Sequence, residues 1–502
     1  MNQATEQFRA IAKVAIDDCL EQDPVGATWL GDHRFDSMLP DYSAEAIAAF
    51  TEKIDRHLTA LDAVDDVELL TEDLVDLEIL RAHLLKVQFD LTQVQEHTWN
   101  PMVWNPGTAL HLLESRDFAP RDERRRNLES RAEEIPGFLE QARATLKDMS
   151  AIHVETAIAQ LQGTLALVGS LNLDQRISDS VSEQIAWLTD ELPLATRSPR
   201  LGPELYAGIL WHALDDSTDV ETLDATAHDH LGLVGDQMRK VAHDYLAHLK
   251  IESVGDPVRE ALDHIATTNV VTNENVLDHV RSAVASARAF TIEHNIVTVP
   301  EIDTEVIEMP EIHRGVAVAY CDAPGPLEVA SVPTFVAVAP TPVDWTPERA
   351  LSFYREYNAV QIHDLTIHEA IPGHVLQLAV GNSGTGQSDT RRFGFSGAFV
   401  EGWAVYSEEV MINAGYSPQS NPASSLAIRL QQLKMQTRMI INTILDIGVH
   451  TKDMSEHQAM DLMMQRGYQE EGEAAGKWRR ALLTSGQLPT YFVGYLAVKG
   501  LA

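Results

Sequence analysis

"HEAIPGH", residues 368–374, approaches the zinc-peptidase pattern H-E-x-x-H without matching it. In that pattern two histidines four residues apart share one helical face and bind zinc, while the glutamate acts as general base. Here the second histidine comes six residues after the first, and Pro372 stands where the ligand is expected. Since the chain has 20 histidines, three interpretations stay open: a damaged motif, a chance match, and another way of bringing two imidazoles to one metal.

A break in the helix is what the third interpretation requires. Each helical residue turns the chain by about 100°, so His368 and His374 on an unbroken helix would point roughly 120° apart. Pro372 has no N–H to donate to the carbonyl of His368, and Gly373 allows unusual backbone angles. We expect the two extra residues to form a bulge that returns His374 to the face of His368.

The chemistry of a catalytic zinc ion calls for three protein ligands and one open position, often two histidines and one carboxylate. The third ligand should come from a neighbouring helix, and Glu401, near the start of "AFVEGWAVYSEEVMINAG", is the best candidate. Glu369 would then take a proton from the water that zinc activates. Tyr406, Glu408 and Glu409 follow on the same segment and are candidates for orienting the imidazoles, with plain surface or packing roles as the alternative.

The pattern on either side of this stretch is mostly helical. From residue 1 to about 295, apolar residues recur at three- and four-residue intervals, as in "DHLGLVGDQMRKVAHDYLAHLKI". "IVTVPEID", "GVAVAYCDAP" and "VPTFVAVAP" then predict a small sheet, because they are rich in β-branched residues and bounded by proline and glycine. We predict an N-terminal helical region, 1–295, and a catalytic region, 296–502, with the sheet at 296–345 and metal-binding helices at 346–502.

Three further segments surround the motif. "TPERALSFYREYNAVQIHDLTIHEA" predicts one helix capped by Thr346, with His368 and Glu369 on its last turn. The polar, glycine-rich segment 381–397 predicts a long loop of the kind that is often functional. "SSLAIRLQQLKMQTRMIINTILDIGVHT" predicts a long helix towards the C-terminus.

Composition narrows the class of protein. The formal charge of −37, from 75 acidic and 38 basic residues, is spread along the chain, and such a surface repels nucleic acid. Asp17 and Asp18 follow a short apolar run, which is not typical of a signal peptide, and no window of about 18 apolar residues predicts a membrane span. Cys19 and Cys321 are too few for a disulfide framework. We expect a soluble cytoplasmic protein with no nucleic-acid or membrane partner.

Two long motifs occur in order, "LTIHEAIPGHVLQLA" at 365–379 and "FVEGWAVYSEE" at 399–409. Together with the segments at 27–43, 98–104 and 445–463, they closely resemble the bacterial domain-of-unknown-function family numbered 885. That family is grouped with zincin-like metallopeptidases, and the resemblance runs through nearly the whole chain. It implies a helical fold related to the gluzincins.

The resemblance also implies roles for individual residues: His368, His374 and Glu401 as zinc ligands and Glu369 as general base. Many relatives have a second histidine directly after the one at 374, where this chain has Val375, so His374 is the ligand if either position is. Relatives commonly read P-G-Q-A-x-x-Y near the C-terminus. This chain has "PTYFVGY" from 489 to 495, which loses the Gly-Gln pair.

Further candidates stand outside the metal motif. The hydroxyl of Tyr495 could stabilise an oxyanion near zinc, and His450 with Asp446 could supply another donor and its orienter. Arg391 and Arg392 could receive a substrate carboxylate through bidentate hydrogen bonds. For each of these the alternative is an ordinary packing, helical or solvated residue. The strand in "VPTFVAVAP" either pairs as an edge with extended substrate or only packs.

These observations predict a mainly α, large helical zincin-like fold with a small β-sheet beside the active-site helix. We expect two lobes around a cleft, with the N-terminal helices forming one wall. The predicted function is hydrolysis of peptide bonds in short peptides by one Zn²⁺ ion, and Arg391 and Arg392 favour a carboxypeptidase. Hydrolysis of a non-peptide amide or ester, and a degenerate site in a peptide-binding scaffold, are the alternatives.

Overall fold

The computed structural model describes residues 2–309, 319–342, 345–384 and 387–502. The described residues are mainly helical with one small sheet, as the sequence predicts. The first part of the chain forms α1 (Gln3–Gln22), α2 (Pro24–Leu30), α3 (Ala44–Asp62), α4 (Thr71–Phe89), α5 (Gly107–Ser115), α6 (Arg121–Glu133), α7 (Ile135–Thr145), α8 (Ala151–Ser170), α9 (Gln175–Glu191), α10 (Pro203–Leu214), α11 (Val220–Leu249), α12 (Pro257–Thr268) and α13 (Val276–Glu293).

Three short strands and nine more α-helices follow in the rest of the described chain. They are β1 (Thr304–Glu308), β2 (Ala319–Asp322), β3 (Thr334–Val338), α14 (Pro347–Glu356), α15 (Ala359–Glu369), α16 (His374–Ser383), α17 (Asp389–Phe393), α18 (Gly397–Asn413), α19 (Pro422–Thr451), α20 (Glu456–Asp461), α21 (Glu471–Leu483) and α22 (Thr490–Leu501).

The sheet has the strand order β1-β3-β2, in which β3 pairs parallel with β1 and antiparallel with β2. Because β3 is hydrogen-bonded on both sides, the expectation that "VPTFVAVAP" offers an edge to substrate is wrong. The first predicted strand, 296–303, is irregular, and β1 begins directly after it. Residues 315–318 of the second predicted strand lie outside the described residues, and β2 follows them.

The single helix predicted over 346–370 is two helices. Thr346 caps α14 as predicted, and its hydroxyl accepts the N–H of Arg349. The helix then ends at Glu356, and Asn358 starts α15 because its side-chain oxygen accepts the N–H groups of Val360 and Gln361. Because Asn358 begins a new helix, the direction of α15 is set separately from that of α14. The predicted glycine-rich loop contains α17, and its residues 385–386 lie outside the described residues.

The chain divides into two compact units, each discontinuous in sequence. Unit 1 comprises residues 1–199, 324–332 and 381–395, and unit 2 comprises 200–323, 333–380 and 396–502. Within unit 1, one apolar core joins α5 to α9, and another joins α1, α3 and α4 with Phe393. The helices between residues 200 and 295 belong with unit 2, because the apolar core of α10, α11 and α12 is shared with α19 and α22.

Unit 2 is organised around α19, the long helix that the sequence predicts. From Leu430 to His450 nearly all of its residues are buried. A helix that is buried on all sides must have partners all round, and α19 packs with α11, α15, α18, α21 and α22. A second core of unit 2 joins α13, the sheet and α15. These contacts fix α15 and α18, the two helices that carry residues 368 and 401, within one body.

Candidate metal centre

The helix carrying the motif breaks at the proline, as the spacing predicts. α15 ends at Glu369 and α16 begins at His374. The N–H of Gly373 donates to the carbonyl of Ile367 at 3.0 Å, which closes a loop of residues 370–373. A Cβ at Gly373 would lie 1.8 Å from the carbonyl oxygen of His368. Glycine is therefore required here, because only a residue without a side chain permits this approach.

The bulge places the two motif imidazoles beside each other. The ring centroids of His368 and His374 are 4.7 Å apart. Trp403 of α18 donates its Nε1–H to the carbonyl of Pro372 at 2.8 Å, so α18 holds the bulge directly. This contact also brings Glu401, half a turn before Trp403, towards the imidazoles.

His368, His374 and Glu401 converge through their side-chain tips. Oε2 of Glu401 lies 3.4 Å from Nε2 of His368 and 3.5 Å from Nε2 of His374, and one ligand atom from each residue lies within 4.8 Å of the others. Zinc bonds of about 2.0–2.1 Å in a tetrahedral arrangement put neighbouring ligand atoms roughly 3.3–3.4 Å apart. The two distances from Oε2 of Glu401 therefore fit a tetrahedral zinc ion, and the bound of 4.8 Å on the whole set is compatible with one.

The hydrogen bonds around the three residues also fit a cation. Nδ1 of His368 lies 2.7 Å from Oε1 of Glu408, which can accept an Nδ1–H, and Nε2 of the same ring faces Glu401. Oε2 of Glu401 is buried and accepts no hydrogen bond from the described residues. A buried acceptor without a donor is costly unless something else compensates it. A divalent cation would compensate it, and the donor set of two imidazoles and one carboxylate is one that zinc prefers.

Buried charge controls the pKa values of the centre. Burial alone would raise the pKa of Glu401, but the nearby imidazoles of His368 and His374 outweigh it and hold the pKa well below the usual range. Burial lowers the pKa of His368, and the nearby carboxylates of Glu401 and Glu408 reverse this and raise it well above its ordinary value. The protonation states of the three side chains therefore depend on one another.

Glu369 lies buried next to the three converging residues. Its Oε2 accepts the backbone N–H of Cys321 in β2 at 3.1 Å, which ties the sheet to the motif. Burial raises the pKa of Glu369, and the two imidazoles partly offset this effect. A carboxylate whose ionised form is destabilised in this way is a suitable proton acceptor.

Tyr491 and Gln487 belong to the same neighbourhood, and sequence reasoning missed both. The ring of Tyr491 stacks near that of His368, with centroids 6.4 Å apart, and its hydroxyl lies 3.4 Å from Nε2 of Gln487. Gln487 also reaches Oε1 of Glu401 at 3.5 Å. Burial and the charge of Glu401 raise the pKa of Tyr491 well above its ordinary value, so the hydroxyl keeps its proton.

A close helix crossing explains the position of Tyr491. α18 and α22 approach at Gly402 and Gly494, where a Cβ on Gly402 would lie 2.2 Å from the backbone of Gly494. This contact puts the first turn of α22 beside Glu401. Tyr491 and Tyr495 are one helical turn apart and share a face, so the sequence pattern gave no signal to choose between them.

Tyr495 and its helix neighbour Lys499 form a separate group with Glu409. The hydroxyl of Tyr495 donates to Oε2 of Glu409 at 2.5 Å, and Nζ of Lys499 lies 2.9 Å from both carboxylate oxygens of Glu409. The structure therefore does not bring Tyr495 or Glu409 into contact with the metal ligands. Tyr406, which is half-buried, packs against the core around α19. Of the three orienting candidates, only Glu408 contacts an imidazole.

His450 and Asp446 lie in another buried network of α19. Nε2 of His450 donates to the carbonyl of Thr484 at 3.1 Å, and Asp446 accepts the hydroxyl of Tyr206 and the N–H of Gly486. Burial raises the pKa of Asp446 to about 7. These contacts connect α19 with α10 and the loop before α22, and none of them involves the motif residues.

Arg391 and Arg392 are committed to contacts within unit 1. Arg391 pairs with Asp76 at 2.7 Å and with Glu72 at 2.5 Å. Arg392 donates its Nε–H to the carbonyl of Pro326 at 2.9 Å. The predicted carboxylate receptor therefore already has protein partners.

Comparisons with known proteins agree with this fold. A solved structure described as "a putative lipoprotein of unknown function from Shewanella oneidensis" is 28% identical, with a TM-score of 0.80 over 98% of this chain and 92% of that one. A second, "the putative lipoprotein from Colwellia psychrerythraea", is 16% identical, with a TM-score of 0.78 over 100% and 93% of the two chains. No curated protein matches this chain.

Both of these neighbours are described as putative lipoproteins. Within the described residues of this chain, no helix has the length and apolar character needed to cross a bilayer. The family model for bacterial proteins of unknown function, DUF885, matches residues 24–502, nearly the whole length. This chain therefore belongs to the DUF885 family.

Proposed function

We propose that this protein is a zinc-dependent hydrolase of peptide bonds in short peptides, with a fold related to the zincins. The observation that carries the proposal is the arrangement of His368, His374 and Glu401. Oε2 of Glu401 lies at the separation expected of a tetrahedral zinc site from Nε2 of both histidines, and no donor among the described residues satisfies this buried oxygen. The family model and both neighbours are of unknown function, so the support comes from this geometry.

Each residue of the centre has a distinct role in the proposal. His368, His374 and Glu401 would hold the ion, and Glu408 would fix the tautomer and orientation of His368 through its hydrogen bond to Nδ1. Zinc, when bound, supplies Lewis-acid chemistry that activates water near neutral pH and polarises a carbonyl. Glu369 would take the proton of the attacking water and pass it to the leaving amine.

Tyr491 replaces Tyr495 and His450 as the proposed oxyanion donor. Its hydroxyl remains protonated and lies among Glu401, Gln487 and His368, whereas Tyr495 donates to Glu409. A donor of this kind contributes most when it is fixed in place before the reaction. α22 fixes it, because its glycine contact with α18 leaves little freedom to shift.

The test combines metal content with one conservative substitution. Protein purified without chelator should contain about one zinc per chain and should cleave members of a short-peptide library. Glu369→Gln removes the proton acceptor but no ligand, so it should keep its zinc and lose roughly 10²- to 10⁴-fold in kcat. Glu348→Gln, an exposed glutamate of α14, is the matched control and should cleave like the parent.

The outcomes separate the proposal from its rivals. A zinc-free protein, or Glu369→Gln as active as the parent, would contradict metal-dependent catalysis and favour a peptide-binding scaffold. Turnover of small amides or esters with no turnover of peptides would mean that the substrate is a non-peptide amide or ester. The predicted cytoplasmic location stays a prediction.

A further inference from the structure

Two cations of α21 stand out because, among the described residues, no carboxylate lies within ion-pair distance of either. Lys477 and Arg480 are three residues apart, both half-buried, and therefore on one face of the helix. Among the described residues, neither forms an ion pair, and the hydrogen bond of Arg480 is to the neutral Oε1 of Gln487, at 2.6 Å. Such unpaired cations need explaining in a chain with 75 acidic and 38 basic residues.

The neighbouring cations are paired. Lys434 lies 2.9 Å and Arg438 3.3 Å from the carboxylate of Glu356, and Arg438 also pairs with Glu473. Two buried cations thus face two carboxylates, which leaves Lys477 and Arg480 as a positive surplus on this side of the unit. Burial and the charge of Arg438 lower the pKa of Lys477 to about 7, and the charges of Glu473 and Glu401 only partly oppose this shift.

The surplus charge lies next to the candidate metal centre. Gln487 joins the two, because its Oε1 accepts from Arg480 while its Nε2 reaches Oε1 of Glu401 at 3.5 Å. The charge of Glu401 also acts on Lys477. Only one side chain therefore separates the guanidinium of Arg480 from a proposed zinc ligand. Arg480 acts on Asp446 as well, but without an ion pair.

We infer that Lys477 and Arg480 form a subsite for the C-terminal carboxylate of the peptide substrate, beside the metal centre. The inference rests on the proposed function and deepens it: the substrates are peptides with a free C-terminus, cleaved near that end. A guanidinium presents a planar pair of donors to a carboxylate, and an ammonium adds a mobile point charge. Arg391 and Arg392, the earlier candidates, are held by Asp76, Glu72 and a backbone carbonyl.

The experiment measures binding, so that it does not depend on turnover. The probe is a library of N-acetylated tripeptides prepared in two forms, with free C-terminal carboxylates and as C-terminal amides. Binding to Glu369→Gln protein is measured by ultrafiltration and mass spectrometry, with zinc and without it. The Glu369→Gln protein without further substitutions should retain the free acids at least tenfold better than the amides. A charge-assisted hydrogen bond is worth roughly a factor of ten or more in affinity.

The variants are Lys477→Gln, Arg480→Gln and the double substitution, with Arg479→Gln as the matched control. Arg479 is an exposed cation of the same helix, so its removal changes the net charge equally. Each single variant should reduce the preference for free acids to about threefold or less, and the control should keep it. Lys477→Gln leaves Gln487 and its contact with Glu401 untouched, so it separates the subsite from disturbance of the metal centre.

The inference is overturned if the parent binds acids and amides equally, or if the double variant keeps the preference. Retention of amides that carry Asp or Glu side chains would also overturn it, because the anion would then come from a side chain. Acid-selective binding without zinc or cleavage would leave the subsite standing and refute the proposed function. Glu369-dependent cleavage of acids and amides alike would support the proposed function and refute the subsite.

Discussion

Two buried polar clusters of unit 2 differ in whether their charged and polar groups find partners within the cluster. In the ion cluster, formed by Glu356, Lys434, Arg438 and Glu473, cations and carboxylates face one another in equal number. Tyr357 and the N–H of Glu470 complete its hydrogen bonds. Nothing from outside is needed, and such a cluster is structural.

The candidate metal centre is the opposite case. Ligand atoms of His368, His374 and Glu401 lie within 4.8 Å of one another, and the buried oxygen of Glu401 has no hydrogen-bond donor among the described residues. Burial is similar in both clusters, so burial alone does not separate a self-contained cluster from a candidate binding site. What distinguishes them is whether the lone pairs that converge have a partner within the protein.

The largest expected effect comes from breaking the ion cluster. Lys434→Met leaves part of the Glu356 charge buried without its ammonium partner, which should cost about 3–5 kcal/mol of unfolding free energy. Denaturant unfolding of metal-free protein measures it. Lys452→Met removes a half-exposed cation that pairs with Asp224 and should cost at most about 1 kcal/mol. Equal losses in the two variants would show that the cluster is not structural.

Asp446 is an intermediate case: its Oδ2 accepts two hydrogen bonds, and its Oδ1 has no hydrogen-bond partner among the described residues. Its folded pKa of about 7 exceeds the ordinary value of 3.8, so its protonated form stabilises the fold. This stability is fully present below about pH 4 and is lost as the pH rises through about 7, by up to about 4 kcal/mol.

The measurement is the unfolding free energy of the parent and of Asp446→Asn between pH 4 and 8. The parent should lose stability relative to the variant across this range, since the asparagine does not ionise. A constant difference between the two proteins would mean that Asp446 does not titrate there.

The smallest expected effect concerns the zinc affinity of the candidate metal centre. Glu408→Gln keeps the shape of the group that receives Nδ1–H of His368 but removes its charge. Zinc affinity should fall roughly 10- to 100-fold, as measured by competition with a chromogenic chelator. Glu409→Gln, on the next residue of α18 and paired with Lys499, should leave zinc affinity unchanged. Equal affinities in all three proteins would remove Glu408 from the centre.

Particular residues show how far sequence reasoning reached. The bulge at 370–373 was predictable because proline cannot donate and glycine has no Cβ, and both are local facts. Tyr491, Gln487 and the lone cations Lys477 and Arg480 were not. Their positions depend on which helix they meet, and one helical turn separates Tyr491, which lies beside His368, from Tyr495, which the sequence analysis named and which contacts Glu409.

The sequence by itself determined that this chain is mainly helical, that the helix breaks at Pro372 and Gly373, and that the chain resembles its family. The helical character and the break follow from periodicity and from the local chemistry of proline and glycine, and the resemblance rests on motifs read directly in the sequence. Only the tertiary structure decided which side chains share a space: that α18 brings Glu401 to the imidazoles, and that Arg391 pairs with Asp76. Convergence of distant segments is set by packing around α19, which no short window encodes.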